Sequence, residues 1–181
     1  MDQEDHHKPF FSRYLQAPPT EVIDSTTYSW LIDDTKPLWA NEPISSPEFS
    51  CGEQTWKIMF AMFGESTQRP DLFAEPRPEA LKDITVVSLS RSSSSPEFAT
   101  NNDTCVQFAI MIASDMDPSL WFCDQKICRF SETNNWGVAH AGVLRTLDVT
   151  GKQNNPNHEL RLRITVHIRV LGELKVIEKN A

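Results

Sequence analysis

The clearest pattern in the chain is a run near its end in which apolar and polar residues alternate. From Leu160 to Val170, aliphatic residues occupy every second position, and Arg, Thr or His residues lie between them. A period of two is typical of a β-strand with one buried face. The run therefore predicts a strand within His158–Leu171, with His167 on its outward face.

Shorter runs of strand-like character precede it. Tyr28, Trp30 and Ile32 lie on one side of TYSWLI (27–32), as expected for a half-buried strand. Further runs rich in β-branched and aromatic residues are SPEFSCGEQTWKIMFAMF (46–63), a hairpin turning at Gly52, then DITVVSLS (83–90), CVQFAIMIAS (105–114) and SLWFCDQKICRF (119–130). We expect Trp30 and Trp56 to be core residues.

The segments between these runs are polar and rich in turn-forming residues. Pro70, Pro76 and Pro78 interrupt the stretch 64–82 and predict a long loop there. A helix is predicted only near HAGVLRTL (140–147). Seven or eight strands separated by polar loops are typical of an antiparallel β-sandwich, so we predict an all-β fold with eight strands.

The length and the ends of the chain predict one domain. The 181 residues suit a single hydrophobic core. Residues 1–23 are polar and show no sustained period, which predicts a flexible leader. The domain is expected over residues 24–172, followed by a short tail at 173–181.

Charge and hydropathy exclude several classes of partner. The chain has 17 Lys and Arg against 25 Asp and Glu, a formal net charge of −8, which disfavours nucleic acid and anionic membrane surfaces. No stretch approaches the ~20 apolar residues of a membrane-spanning helix. The amino end is acidic and lacks the apolar run of a signal peptide. We therefore expect a protein of the cytoplasm or nucleus.

No catalytic, metal or cofactor site is predicted. The four cysteines, Cys51, Cys105, Cys123 and Cys128, are irregularly spaced, and we expect them to be free thiols. They do not form the paired spacing of a zinc site. Nothing in the sequence resembles a nucleophile elbow, a phosphate-binding loop or a His-Glu-x-x-His helix. We therefore expect a protein that is not an enzyme.

Several segments in a fixed order resemble one family. They are Tyr28-Ser-Trp-Leu-Ile, Ser46-Pro-Glu-Phe, Trp56-Lys-Ile, Phe108-Ala-Ile-Met-Ile, Arg129-Phe130, Trp136-Gly137 and the strand Leu162–Leu171. Together they resemble the meprin and TRAF homology (MATH) domain, an eight-stranded antiparallel β-sandwich. The combination WKIMF, CVQFAI and RFSETNNWG is most similar to the amino-terminal domain of herpesvirus-associated-type ubiquitin-specific proteases of fungi.

The resemblance implies a peptide-binding groove beside the Trp-Gly strand. MATH domains bind short, extended segments of partner proteins there by strand addition. Trp136 is expected to form a wall, Gly137 to allow close approach of the peptide backbone, and Asn135 to replace the Asp that is common in the family. The candidate peptide-binding residues are Ser88, Phe108, Cys128, Asn134, Asn135, Trp136, Gly137 and Val138. Small residues at Ser88 and Cys128, where the family often has aromatic residues, predict an altered floor.

Alternatives remain open at two levels. Trp136 is either a groove residue, which we expect, or a core residue, as Trp often is in all-β folds. The module either recruits substrates to a ubiquitin-specific protease or acts as a stand-alone adaptor or ubiquitin-ligase substrate receptor. In both cases the expected partners are short linear peptide motifs.

Overall fold

A computed structural model describes residues 15–63, 84–92, 104–115, 121–130, 135–154, 157 and 159–172. In chain order the elements are β1 (Val22–Ile32), α1 (Lys36–Trp39), β2 (Ile44–Ser45), β3 (Phe49–Cys51), β4 (Gln54–Phe63), β5 (Ile84–Ser92), β6 (Thr104–Ser114), β7 (Trp121–Phe130), β8 (Asn135–Ala141), α2 (Val143–Asn154) and β9 (Leu162–Leu171). The predictions for 64–82, 173–181 and the first 14 residues lie outside these ranges.

The strands form two antiparallel sheets, which confirms the all-β, sandwich-like class. One sheet has the order β1-β9-β6-β7, and the other has the order β2-β4-β5-β8, with β3 also paired to β4. The described residues contain nine strands, so the prediction of eight is wrong. The additional strand is β2, which precedes the predicted hairpin run and pairs with β4. Pro47, which has no N–H to donate to the ladder, lies between β2 and β3.

An aromatic cluster lies in the core. Trp56 and Phe130 are fully buried, with ring centroids 5.0 Å apart in an edge-to-face arrangement that aromatic pairs prefer. Phe108 lies against Phe130 at 6.2 Å. The predicted core position of Trp56 is confirmed. Trp30 is half-buried and packs against the core from its edge.

The turn between β3 and β4 contacts β1 and β9 of the other sheet. Gly52 has a φ of +60°, and a Cβ there would lie 2.6 Å from Val170 Cγ2, so only glycine fits. Its backbone N–H donates to Asp24 Oδ2 at 2.7 Å. Hydrogen bonds from the backbone of Gly52 and Ser25 lower the pKa of Asp24. This carboxylate therefore attaches the hairpin to β1.

Residues that precede the expected start of the domain at Asp24 also pack on the fold. β1 starts at Val22, and Leu15 is buried against Ala109 and Met111, on the face of the β1-β9-β6-β7 sheet that points away from the other sheet. Gln16 O accepts hydrogen bonds from Gln107 Nε2 at 3.0 Å and Arg169 Nη1 at 3.2 Å. Part of the expected leader therefore packs on the sandwich.

The helix near 140–147 is confirmed and is longer than expected. α2 runs from Val143 to Asn154, and Val143, Leu144 and Leu147 are buried in the core. Their spacing places them on one face of the helix. Neither helix in the described part of the chain is long and apolar enough to cross a membrane.

Candidate functional site

The strand β8 ends the β2-β4-β5-β8 sheet. It pairs with β5 through seven residue pairs, from Ile84↔Ala141 to Ser90↔Asn135. No other strand in the described ranges pairs with β8. In an antiparallel ladder, successive residues point their backbone groups to alternate sides, so half of the N–H and C=O groups of β8 face away from β5. This edge has the geometry that strand addition requires.

Trp136 lies at the start of this edge and is partly exposed. Trp136 is 39% exposed, whereas Trp56 in the core is 0% exposed. Its register partner Leu89 is buried, so the indole lies on the core-facing side of β8, at the rim of the sandwich. The indole Nε1 donates to Arg129 O at 2.9 Å, which fixes the ring between β8 and β7.

Gly137 is required by the sheet itself. A Cβ at this position would lie 2.4 Å from Val87 O and 2.7 Å from Ser88 Cα, both backbone atoms of β5. The sequence prediction explained this glycine by the approach of a peptide backbone. The structure shows that the approach of β5 already excludes a side chain here.

The other predicted site residues fall into separate environments. Val138 and Phe108 are buried in the core at 3% and 0% exposure, so they support the site from within. Cys128 is half-buried on β7 and packs against the core. Ser88 and the exposed Asn135 lie on the opposite face of the sheet from Trp136, as their register with Gly137 and Ser90 shows. Asn134 lies outside the described residues.

A gap between the end strands β7 and β8 brings together polar and charged side chains that the sequence prediction did not assign. His140 Nε2 lies 3.9 Å from Asp124 Oδ2, and Lys126 lies on the same face of β7 as Asp124 and is exposed. The alternation of β7 places Asp124, Lys126 and Cys128 on one face. The sequence contains no signal that β7 and β8 end adjacent edges of the two sheets.

Two of the cysteines, Cys51 and Cys128, are poor nucleophiles at neutral pH. All four are free thiols. Burial, reinforced by the Asp24 carboxylate, raises the pKa of Cys51 to about 12. Burial also raises the pKa of Cys128, while the nearby Lys126 ammonium acts in the opposite direction. Because the thiolate is the reactive form, neither site favours nucleophilic chemistry. No group of three metal-ligating side chains is found in the described ranges.

Comparison of the sequence with protein-family models and with curated proteins finds no match. A proposal for the function therefore rests on the edge of β8, on the gap between β7 and β8, and on the segments that resemble a MATH domain.

Proposed function

We propose that this chain is a non-catalytic module that binds short, extended peptide segments of partner proteins by adding them as a strand to the edge of β8. The single observation that carries the proposal is the combination, in one place, of an end strand and the partly exposed Trp136 fixed at its rim. Strand addition supplies main-chain hydrogen bonds, and an aromatic anchor supplies apolar contact area.

The proposal includes membership of the MATH family. It is supported by the ordered sequence segments from Tyr28-Ser-Trp to Trp136-Gly137 and by an all-β fold of two antiparallel sheets. As such a module, the chain would recruit substrates to a ubiquitin-specific protease of the herpesvirus-associated type. That cellular role depends on the sequence resemblance.

Affinity is expected to be modest. A peptide of a few residues buries little surface and loses conformational freedom on binding, so we expect dissociation constants of about 1 µM or weaker. Main-chain bonds along β8 would give general affinity for extended segments. Selectivity would come from the side chains that the peptide points toward Trp136 on one face and toward Ser88 and Asn135 on the other.

The test is a random nonapeptide library displayed on phage and selected against the chain, followed by calorimetry with synthetic peptides from the selected pool. Replacing an aromatic anchor typically costs ~2 kcal/mol or more, so Trp136→Ala should weaken binding by more than about tenfold. Trp136→Phe retains an aromatic ring but loses the hydrogen bond to Arg129 O, and should give an intermediate loss.

Trp39 provides a matched control. It is also 39% exposed but lies at the end of α1, so Trp39→Ala should leave peptide affinity unchanged. Thermal melting checks that each variant is folded. If Trp136→Ala stays folded and binds the peptides as tightly as the wild type does, the proposed groove is wrong. If Trp136→Ala unfolds the chain, the indole is a core residue and the alternative interpretation holds.

A further inference from the structure

Two side-chain contacts cross the gap between β7 and β8. They show which residues of the two strands lie opposite each other. Near one end, Trp136 Nε1 on β8 donates to Arg129 O on β7 at 2.9 Å. Near the other end, His140 Nε2 on β8 lies 3.9 Å from Asp124 Oδ2 on β7. Between these crossings, Val138 occupies the middle of β8, and Lys126 occupies the corresponding part of β7.

Lys126 differs from Asp124 and Arg129, the other charged residues of β7 near the gap. Asp124 is close to His140 and accepts a hydrogen bond from the Gln125 backbone N–H at 2.8 Å. Arg129 lies on the other face of β7. Lys126 is exposed, and no ion pair is found between it and another residue in the described ranges. The middle of the gap therefore carries an exposed cation.

A peptide strand added to β8 would point some of its side chains toward Lys126. The added strand extends the β2-β4-β5-β8 sheet, and alternate residues of it point toward the level of the other sheet. Packed sheets lie about 10 Å apart, a distance that a Lys side chain and a Glu side chain together span. The residue of the peptide that lies opposite Val138 would meet Lys126, beside the exposed indole of Trp136.

We infer that the peptide bound at β8 carries a carboxylate side chain, Asp or Glu, on its β7-facing side, and that this carboxylate pairs with Lys126. The inference rests on the proposed function and assigns a chemical class to its ligand. An acidic residue is selected here because Lys126 is exposed in the middle of the gap beside the partly exposed Trp136, whereas Asp124 lies nearer the other end of the gap, next to His140. A basic residue at the same position would lie next to Lys126 and be disfavoured.

The test compares selections from the random nonapeptide phage library on three versions of the chain. When the peptides selected on the wild type are sequenced and aligned, one fixed position should be enriched in Asp or Glu. On Lys126→Glu, the same position should be enriched in Lys or Arg. Lys36→Glu makes the same charge change at an exposed position of α1, which is part of neither β7 nor β8, and should select the wild-type pool.

Affinity measurements give the size of the effect. For one selected acidic peptide and its Gln counterpart, the wild type should bind the acidic peptide about twofold to fivefold more tightly, as expected for a partly exposed ion pair. The difference should vanish on Lys126→Met, which retains most of the side-chain volume, and should shrink at high salt. Melting curves confirm that the variants are folded.

The outcomes separate the inference from the proposed function. If peptides bind in a Trp136-dependent way but the wild type and Lys126→Glu select the same residues, the carboxylate inference is overturned and strand addition at β8 stands. If no peptide is enriched on the wild type, or if enrichment does not depend on Trp136, both are overturned. Reversal of the selected charge on Lys126→Glu alone supports both.

Discussion

Trp56 and Trp136 show how two strands of the same sheet place one residue type in opposite environments. Trp56 lies in the middle of the β2-β4-β5-β8 sheet and packs edge-to-face on Phe130, whereas Trp136 lies on the end strand and keeps 39% of its surface exposed. The difference comes from the position of each strand in its sheet. A Trp on an end strand has packing partners on one side, which leaves its other side available to a ligand.

Gly137 leads to a prediction at the residue scale. In Gly137→Ala the new Cβ would lie 2.4 Å from Val87 O, so the backbone of β5 or β8 must shift. We expect the free energy of unfolding to fall by ~2 kcal/mol or more. Urea denaturation of the variant and the wild type measures the change.

Gly172 is the matched control for this substitution. A Cβ there would have Glu21 O and Glu21 Cβ as its nearest neighbours, at 3.7 and 3.9 Å, which are ordinary contacts. Gly172→Ala should change the free energy of unfolding by less than ~0.5 kcal/mol. Equal losses in the two variants would show that the close approach of β5 is not what requires glycine at position 137.

At the scale of elements, periodicity in the sequence was sufficient to find most strands. The alternation in β9 and the apolar runs of β5 and β6 correspond to strands with buried faces, as predicted. β6 is a single long apolar run because both of its faces are buried: one faces the core, and on the other Leu15 covers Ala109 and Met111. The identity of the end strands could not be predicted, because strand order depends on contacts between distant segments.

The edge of β8 leads to a prediction that does not depend on side chains. If a peptide adds to β8 as a strand, alternate amides of the peptide donate to β8 and the others point to solvent. Methylation of a donating amide removes its hydrogen bond and adds bulk. Each single methylation of this kind should therefore weaken binding at least about fivefold. Methylation of the intervening amides should have little effect. Calorimetry of a series methylated at one position at a time tests this, and a loss without a period of two would contradict strand addition.

For the whole molecule, the fold class was predictable, whereas the arrangement of the candidate site was predictable only in part. The Trp-Gly segment was found from its resemblance to a family, and the structure places it on an end strand. The sequence does not indicate that Lys126, Asp124 and His140 lie close together. They become neighbours only because the two sheets pack with β7 and β8 on the same side. Phe108 was assigned to the groove, but the inward face of the central strand β6 holds it in the core.

The packing of Leu15 was also invisible in the sequence, since one Leu in a polar segment has no periodicity. Leu15 is 7% exposed and covers Ala109 and Met111, while Gln16 O accepts hydrogen bonds from Gln107 and Arg169. Leu15→Ala should therefore lower the free energy of unfolding by ~2 kcal/mol, because it leaves a cavity on the sheet. Chemical denaturation with tryptophan fluorescence as the readout measures the loss.

Ile23 supplies the comparison for Leu15, because it is an aliphatic residue close by in the chain but 65% exposed. Ile23→Ala should cost less than ~0.5 kcal/mol. Both variants should bind peptides with wild-type affinity, since Leu15 packs on the β1-β9-β6-β7 sheet and the proposed binding edge belongs to the other sheet. Equal stabilities of the two variants would show that Leu15 contributes nothing to the fold. Weaker peptide binding by folded Leu15→Ala would show instead that the amino-terminal segment and the β8 edge are coupled through the sandwich.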